Sequence, residues 1–253
     1  MRVHETPSAA NPRDVLLLHD WPNSGRVYEP LAQKLRLAAP DLRLFAPDLR
    51  GYGDSDKPGA GYTCARFVAD VQNIADALNL SDYLLVGHSM SGKIAQAFAA
   101  TRPAGLSRLA LLTPGLLAPS PPVDVSGRVA AWGDRQKTSE LVWGFAARPL
   151  SQADAEMLAD DGLRVGEAAW RGWLETMRGE DLLGAAASIA VPTLVIGGGR
   201  DPQRSEEELR AGVVEAIAGA QYARLATCGH LPHLEDPLSL AALLVNFLDG
   251  VEA

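Results

Sequence analysis

Leu84-Leu85-Val86-Gly87-His88-Ser89-Met90-Ser91-Gly92 decides how the rest of this 253-residue chain is read. The apolar run ends at Gly87, and from Met90 onward Ile94, Ala97 and Phe98 recur at helical spacing, so Ser89 stands at a sharp strand-to-helix turn. Such a turn lifts a hydroxyl clear of the sheet, and its strained backbone demands small residues two before and two after the serine. Gly87 and Ser91 meet that demand. The pattern fits a nucleophile elbow, with serine where a second glycine is usual.

Working outward, short apolar runs alternate with helical stripes. Val15 to Leu18, Leu42 to Ala46, Tyr83 to Gly87, Leu109 to Leu112, Val191 to Gly197 and Tyr222 to Leu225 read as strands. Tyr28, Leu31, Ala32 and Leu35 trace one helix face; Phe67, Val71, Ile74 and Leu78 trace another. Ser205 with Glu208 marks a helix start, and the last helix carries Leu238, Ala241, Leu244, Val245 and Leu248. Strands apolar at nearly every position have no face for water, which predicts an α/β fold with a mostly parallel central sheet covered by helices on both faces.

Between Gly115 and Ala190 the strand signal vanishes. Ser151 with Asp154 starts a helix, Gly162 stops it, and Trp170, Trp173, Leu174 and Met177 form a further stripe. The expected organisation is a core of residues 1–115 and 191–253 interrupted by a helical insertion at 116–190.

The formal net charge is −8, and no Lys/Arg cluster interrupts the mixture, which argues against nucleic acid or an anionic membrane surface as partner. There is no run of about eighteen apolar residues, and Met1-Arg2-Val3-His4-Glu5-Thr6-Pro7 lacks the apolar stretch of a signal peptide, so a soluble cytoplasmic protein is expected. Cys64 and Cys228 read as free thiols, with neither a disulfide framework nor a cysteine metal site.

A serine hydroxyl is a poor nucleophile until a base takes its proton and a third group orients that base. In an open parallel sheet the loops at the carboxyl ends of strands converge on one crevice, so the partners should follow strands. His4 precedes the first strand, the His88 side chain diverges from the hydroxyl, and His19 suits a loop-anchoring hydrogen bond. His230 directly follows Gly229 after the last strand and is the favoured base, with His233 read as a structural loop residue. For the acid, Asp201 lies in Gly197-Gly198-Gly199-Arg200-Asp201-Pro202, whose glycines permit the turn back to the crevice. The loop after Leu112 reads Thr113-Pro114-Gly115, and its nearest carboxylate is the distant Asp124.

The order Ser89, Asp201, His230 resembles that of the α/β-hydrolase family. The likeness spans nearly the whole chain and is carried by the elbow, by Asp48-Leu49-Arg50-Gly51-Tyr52-Gly53-Asp54-Ser55, by Gly199-Arg200-Asp201 and by Gly229-His230-Leu231-Pro232-His233-Leu234-Glu235. The resemblance implies that the helical insertion is a cap over the substrate crevice. It also implies that the backbone N–H groups of Met90 and Trp21 stabilise the oxyanion, each worth roughly 3 to 4 kcal/mol. Besides Ser91 in the elbow, two features depart from the family. Met1 to Arg13 leaves little room for the antiparallel hairpin with which members often begin, and Asp20 stands where glycine is usual after His19. A carboxylate facing the oxyanion would oppose it, so Asp20 is expected to point away.

Trp132, Trp143, Trp170 and Trp173 fall in the insertion, where cap core and pocket wall are both open to them. Trp21, next to the oxyanion donor, and Trp143 are the candidates for substrate contact. The expected activity is that of a cofactor-independent Ser-His-Asp hydrolase, a carboxylesterase for small, neutral, apolar esters, with no metal and no nucleotide. On the same triad, carbon–carbon bond hydrolysis, lactonase, peptidase and perhydrolase chemistry are alternatives, as is a ligand-binding receptor that retains the fold.

Overall fold

In the computed structural model, which describes residues 12–120 and 124–251, six strands form one sheet: β1 (Arg13–Leu18), β2 (Leu42–Phe45), β3 (Tyr83–His88), β4 (Leu106–Leu112), β5 (Thr193–Gly198) and β6 (Gln221–Leu225). Their order is β2-β1-β3-β4-β5-β6, and every pairing is parallel. The apolar runs account for this. Leu16, Leu17 and Leu18 of β1 and Leu109 to Leu112 of β4 are wholly buried, as strands covered on both faces must be. The edge strands β2 and β6 are shorter and partly exposed, which limits edge-to-edge pairing with other chains.

Helices α1 (Glu29–Ala38), α2 (Cys64–Ala77) and α3 (Met90–Ala100) connect the first four strands, and α10 (Pro237–Leu248) closes the chain. α1 packs on α10, and α2 packs on α3. The long connection from β4 to β5 holds α4 (Ser126–Val129), α5 (Arg135–Trp143), α6 (Gln152–Leu163) and α7 (Glu167–Arg171), with no strand among its described residues. Ser151 caps α6 by accepting from the Asp154 N–H, as its spacing predicts. Beyond β5 come α8 (Glu206–Leu209), which opens with a Ser205–Glu208 capping box, and the short α9 (Pro232–Glu235).

Strand boundaries move by one to three residues, and β1 gains Arg13 and Asp14 at its start. β4 begins three residues before the predicted run, because Ser107 and Arg108 sit half-buried at the sheet rim, where Ser107 Oγ donates to the Tyr83 carbonyl at 3.2 Å. β5 begins at Thr193, after Pro192, which has no N–H to give the ladder. Among the described residues the sheet has no antiparallel strand; the expectations for residues 1–11, including His4, lie outside them. No described helix is long and apolar enough to cross a membrane.

After β1 the chain moves outward to β2, then returns to place β3 on the other side of β1. Loops leaving the carboxyl ends of β1 and β3 therefore part in opposite directions and open a crevice between them. Trp21 follows β1 and Ser89 follows β3, so both stand at its mouth.

Candidate active site

Ser89 has φ +49° and ψ −113°, a conformation rarely adopted by a residue with a side chain and costing about 1–3 kcal/mol. The surroundings hold it there. The Ser89 N–H donates to the Leu112 carbonyl at 3.0 Å, and its carbonyl accepts from the N–H groups of Gly92 at 2.9 Å and Gly115 at 2.7 Å. A Cβ on Gly87 would lie 2.6 Å from the Ala95 side chain and from the Ser91 carbonyl, which explains the glycine two residues before the serine. Ser91 does more than fit. Its hydroxyl, fully buried, donates to the His19 carbonyl and so ties the turn after β3 to the loop after β1.

His230 Nε2 lies 2.8 Å from Ser89 Oγ, and His230 Nδ1 lies 2.7 Å from Asp201 Oδ2. An ionised carboxylate only accepts, so Nδ1 carries the ring proton and Nε2 is free to accept from the serine hydroxyl. The other Asp201 oxygen accepts from the N–H groups of Gln203 at 2.7 Å and Arg204 at 3.2 Å, which fixes the carboxylate. The two loops meet closely at Gly198, where a Cβ would fall 2.0 Å from the Gly229 carbonyl. The structure thus brings Ser89, Asp201 and His230 together from the ends of β3, β5 and β6.

The His230 backbone is held as firmly. Its N–H donates to the Phe145 carbonyl at 2.8 Å, and its carbonyl accepts from His88 Nε2 at 2.7 Å. Glu235 gathers the N–H groups of Gly229, Leu231 and Ala147 on one buried carboxylate, joining the His230 loop to the helical segment. His19 is the loop anchor expected of it: the Leu49 N–H donates to Nε2 at 3.0 Å, and Nδ1 donates to the Asp20 carbonyl at 2.9 Å. Among the described residues, neither the Trp21 nor the Met90 backbone N–H donates to a protein acceptor.

Asp20 points inward. Its side chain is fully buried, with Oδ2 accepting from Asn23 Nδ2 at 2.8 Å and Oδ1 lying 3.3 Å from His88 Nδ1. Burial alone would raise its carboxyl, but His88, His233 and the Asn23 amide outweigh that and hold it well below the usual carboxylate range. His233 is buried beside them, its ring 4.8 Å from that of His88, with neither nitrogen bonded to a described residue. Burial, reinforced by His88, pushes the His233 imidazole down to about 3. Asp20, His88 and His233 offer ligand atoms within 4.8 Å of one another, the described grouping best spaced to hold a cation.

Ser89 and His230 open onto a cavity of about 360 Å³, within the size range of small-ligand sites. Trp21 and Trp173 line it. Trp143 does not: it is 53% exposed and borders a separate surface pocket with Arg148. Trp170 is core, packed against Trp21 with tilted rings 4.7 Å apart at their centroids, and Trp132 is 41% exposed. The wall is not the apolar one expected, since Arg128, Arg178 and Arg204 also line the cavity. Sequence reading missed these arginines because they are isolated in the chain and meet only in space. It missed Glu235 as an organiser of the His230 loop, although the residue stands within the quoted motif.

A model of the alpha/beta hydrolase family matches residues 15–243. The chain is 28% identical to the AB hydrolase superfamily protein YisY of Bacillus subtilis, over 93% of this chain and 91% of that protein. It is 29% identical to a 2-hydroxymuconate semialdehyde hydrolase of a Pseudomonas species, over 92% and 83% of the two chains. An esterase from Exiguobacterium antarcticum superposes with a TM-score of 0.88 at 22% identity, covering 98% of this chain and 94% of that one, which speaks to the fold alone. With the strand order, the turn at Ser89 and a family match covering most of its length, the chain belongs to the alpha/beta hydrolase family.

Proposed function

We propose that this protein is a serine hydrolase that cleaves small carboxylic esters through an acyl-enzyme. The unbroken line from Asp201 through His230 to Ser89, ending at the cavity, carries this reading. Ser89 Oγ attacks the ester carbonyl while its proton passes to His230 Nε2, and Asp201 stabilises the imidazolium that forms. The negative charge on the former carbonyl oxygen is met by the Trp21 and Met90 N–H groups. Collapse expels the alcohol, which leaves with the proton from His230. Water then enters, gives a proton to His230 and attacks the acyl carbon; the bond to Ser89 Oγ breaks as His230 returns that proton to it, releasing the acid and free Ser89.

The helical segment 116–190 acts in this reading as a cap, supported by its contribution of Arg128, Phe145, Trp173 and Arg178 to the cavity wall. The two cysteines, buried and unpaired, fit work in a reducing compartment such as the cytoplasm. Similarity to a 2-hydroxymuconate semialdehyde hydrolase favours, as a second reading, carbon–carbon bond cleavage on the same three residues.

Hydrolysis of p-nitrophenyl acetate by the wild type and by Ser89→Ala tests the proposal. The variant is expected to lose about 10⁴-fold or more in kcat/KM, the scale of losing a triad nucleophile. Equal rates for the two proteins would remove Ser89 from the chemistry.

A further inference from the structure

Three arginines converge on the cavity that holds Ser89 and His230, and they come from different places in the chain. Arg128 belongs to α4, Arg178 to a short turn after α7, and Arg204 to the loop that carries Asp201. Their charge is poorly compensated. Arg128 donates to the neutral Gln203 Oε1 at 3.0 Å and has no salt-bridge partner among the described residues. The Arg178 side chain donates no hydrogen bond to any of them. Arg204 has one carboxylate nearby, Glu208, at a loose 3.7 Å, although its side chain is only 15% exposed.

The cavity also touches two acids, one engaged elsewhere and one, Glu208, shared between its own helix cap and the loose contact with Arg204. Asp124 is exposed and accepts from the Ser126 N–H at 2.8 Å, and Glu208 closes the capping box of α8 through the Ser205 N–H. Arg128 and Arg178 are left with no carboxylate partner among the described residues, close enough to Arg204 for the three charges to act on one another. Burial pushes Arg128 down and Arg204 pushes it further; burial, Arg128 and Arg204 do the same to Arg178. Withdrawing several like charges from water without partners costs free energy in the empty protein, and an entering anion would restore the balance. Guanidinium groups also match the planar, two-oxygen geometry of a carboxylate.

We propose that the substrate is itself an anion: a small acyl compound bearing a carboxylate, held by Arg128, Arg178 and Arg204 while its scissile carbonyl lies at Ser89. This rests on the serine-hydrolase reading and replaces the neutral, apolar ester expected from the tryptophans. The cavity volume of about 360 Å³ suits a short dicarboxylic half-ester.

The test compares monomethyl succinate, glutarate and adipate with methyl butanoate, pentanoate and hexanoate, with acid release followed by pH-stat. Half-esters are expected to exceed their neutral counterparts by about tenfold or more in kcat/KM, the worth of one charge-assisted contact. In Arg178→Gln that preference should shrink by about tenfold, and the ratio is insensitive to the amount of folded enzyme. In parallel, free glutarate and inorganic phosphate are titrated calorimetrically into Ser89→Ala. Glutarate binding that weakens in Ser89→Ala/Arg178→Gln supports the anion site even if no ester is turned over, in which case the serine-hydrolase reading alone fails. Neutral esters cleaved as well as half-esters, with no glutarate binding, would overturn the anion site and leave the serine reading standing. Phosphate bound more tightly than glutarate would overturn the carboxylate assignment.

Discussion

Behind the His230 ring and in front of it, the protein treats charge in opposite ways. Behind it, Asp20, His88 and His233 are closed off from water, with Asp20 Oδ2 accepting from Asn23 and Oδ1 lying 3.3 Å from His88 Nδ1. In front of it, Arg128 and Arg178 face a cavity without a carboxylate of their own. The first arrangement is enclosed by the fold and serves architecture: through His88 it grips the His230 carbonyl, although both His233 nitrogens stay unbonded to described residues. The second is incomplete until something binds. A charge enclosed by the fold beside polar neighbours reads as structure, and half-buried like charges lining a cavity with too few carboxylates read as a place kept for a ligand.

Removing a charge from each side should break the comparison in opposite directions. Asp20→Ala strips the anion from a closed site and leaves the Asn23 amide without its acceptor and His88 without its carboxylate neighbour. It is expected to lower the free energy of unfolding by about 3 kcal/mol in urea titrations. Arg178→Gln relieves repulsion between arginines and should leave stability unchanged or raise it by up to about 1 kcal/mol. A loss of the same size in both variants would show that the arginines too are structural.

Acid sharpens the contrast. In the folded protein His233 takes up a proton only near pH 3, whereas in the unfolded chain it does so near its ordinary value of about 6.5. Between these limits unfolding takes up a proton, so this contribution to stability is full above about pH 6.5 and is lost as the pH falls toward 3, at up to about 1.4 kcal/mol per unit. His19, also pushed down by burial, acts with the same sign. Denaturant titrations from pH 7 to 4 should show this slope, and His233→Leu should reduce it by about one proton near pH 5. An unchanged slope would mean that His233 is charged in the fold.

The smallest effect is expected at Trp143, outside the cavity and half exposed. Trp143→Ala should change kcat/KM by no more than about twofold. A larger change would move the substrate-binding surface beyond the cavity at Ser89.

How far the sequence carried the reading depended on the range of the interactions involved. The strands at Val15 to Leu18 and Leu109 to Leu112 were legible because burial on two faces leaves an unbroken apolar run. The starts of α6 and α8 were legible because a cap is satisfied within three residues. Ser89 declared itself through the steric need for Gly87, and His230 and Asp201 through their places directly after strands. The inward turn of Asp20 was anticipated only as avoidance of the oxyanion; its buried partners were not.

The alternation of strands and helices and the three residues in line at the crevice are written locally, because each is announced by its neighbours in the chain. Folding alone brings Asp20, His88 and His233 into one buried space and Arg128, Arg178 and Arg204 to one cavity. Those groupings join residues far apart in the chain. Electrostatic interaction depends on distance through space, and no local pattern records which distant side chains the sheet and the helical segment will bring within reach of each other.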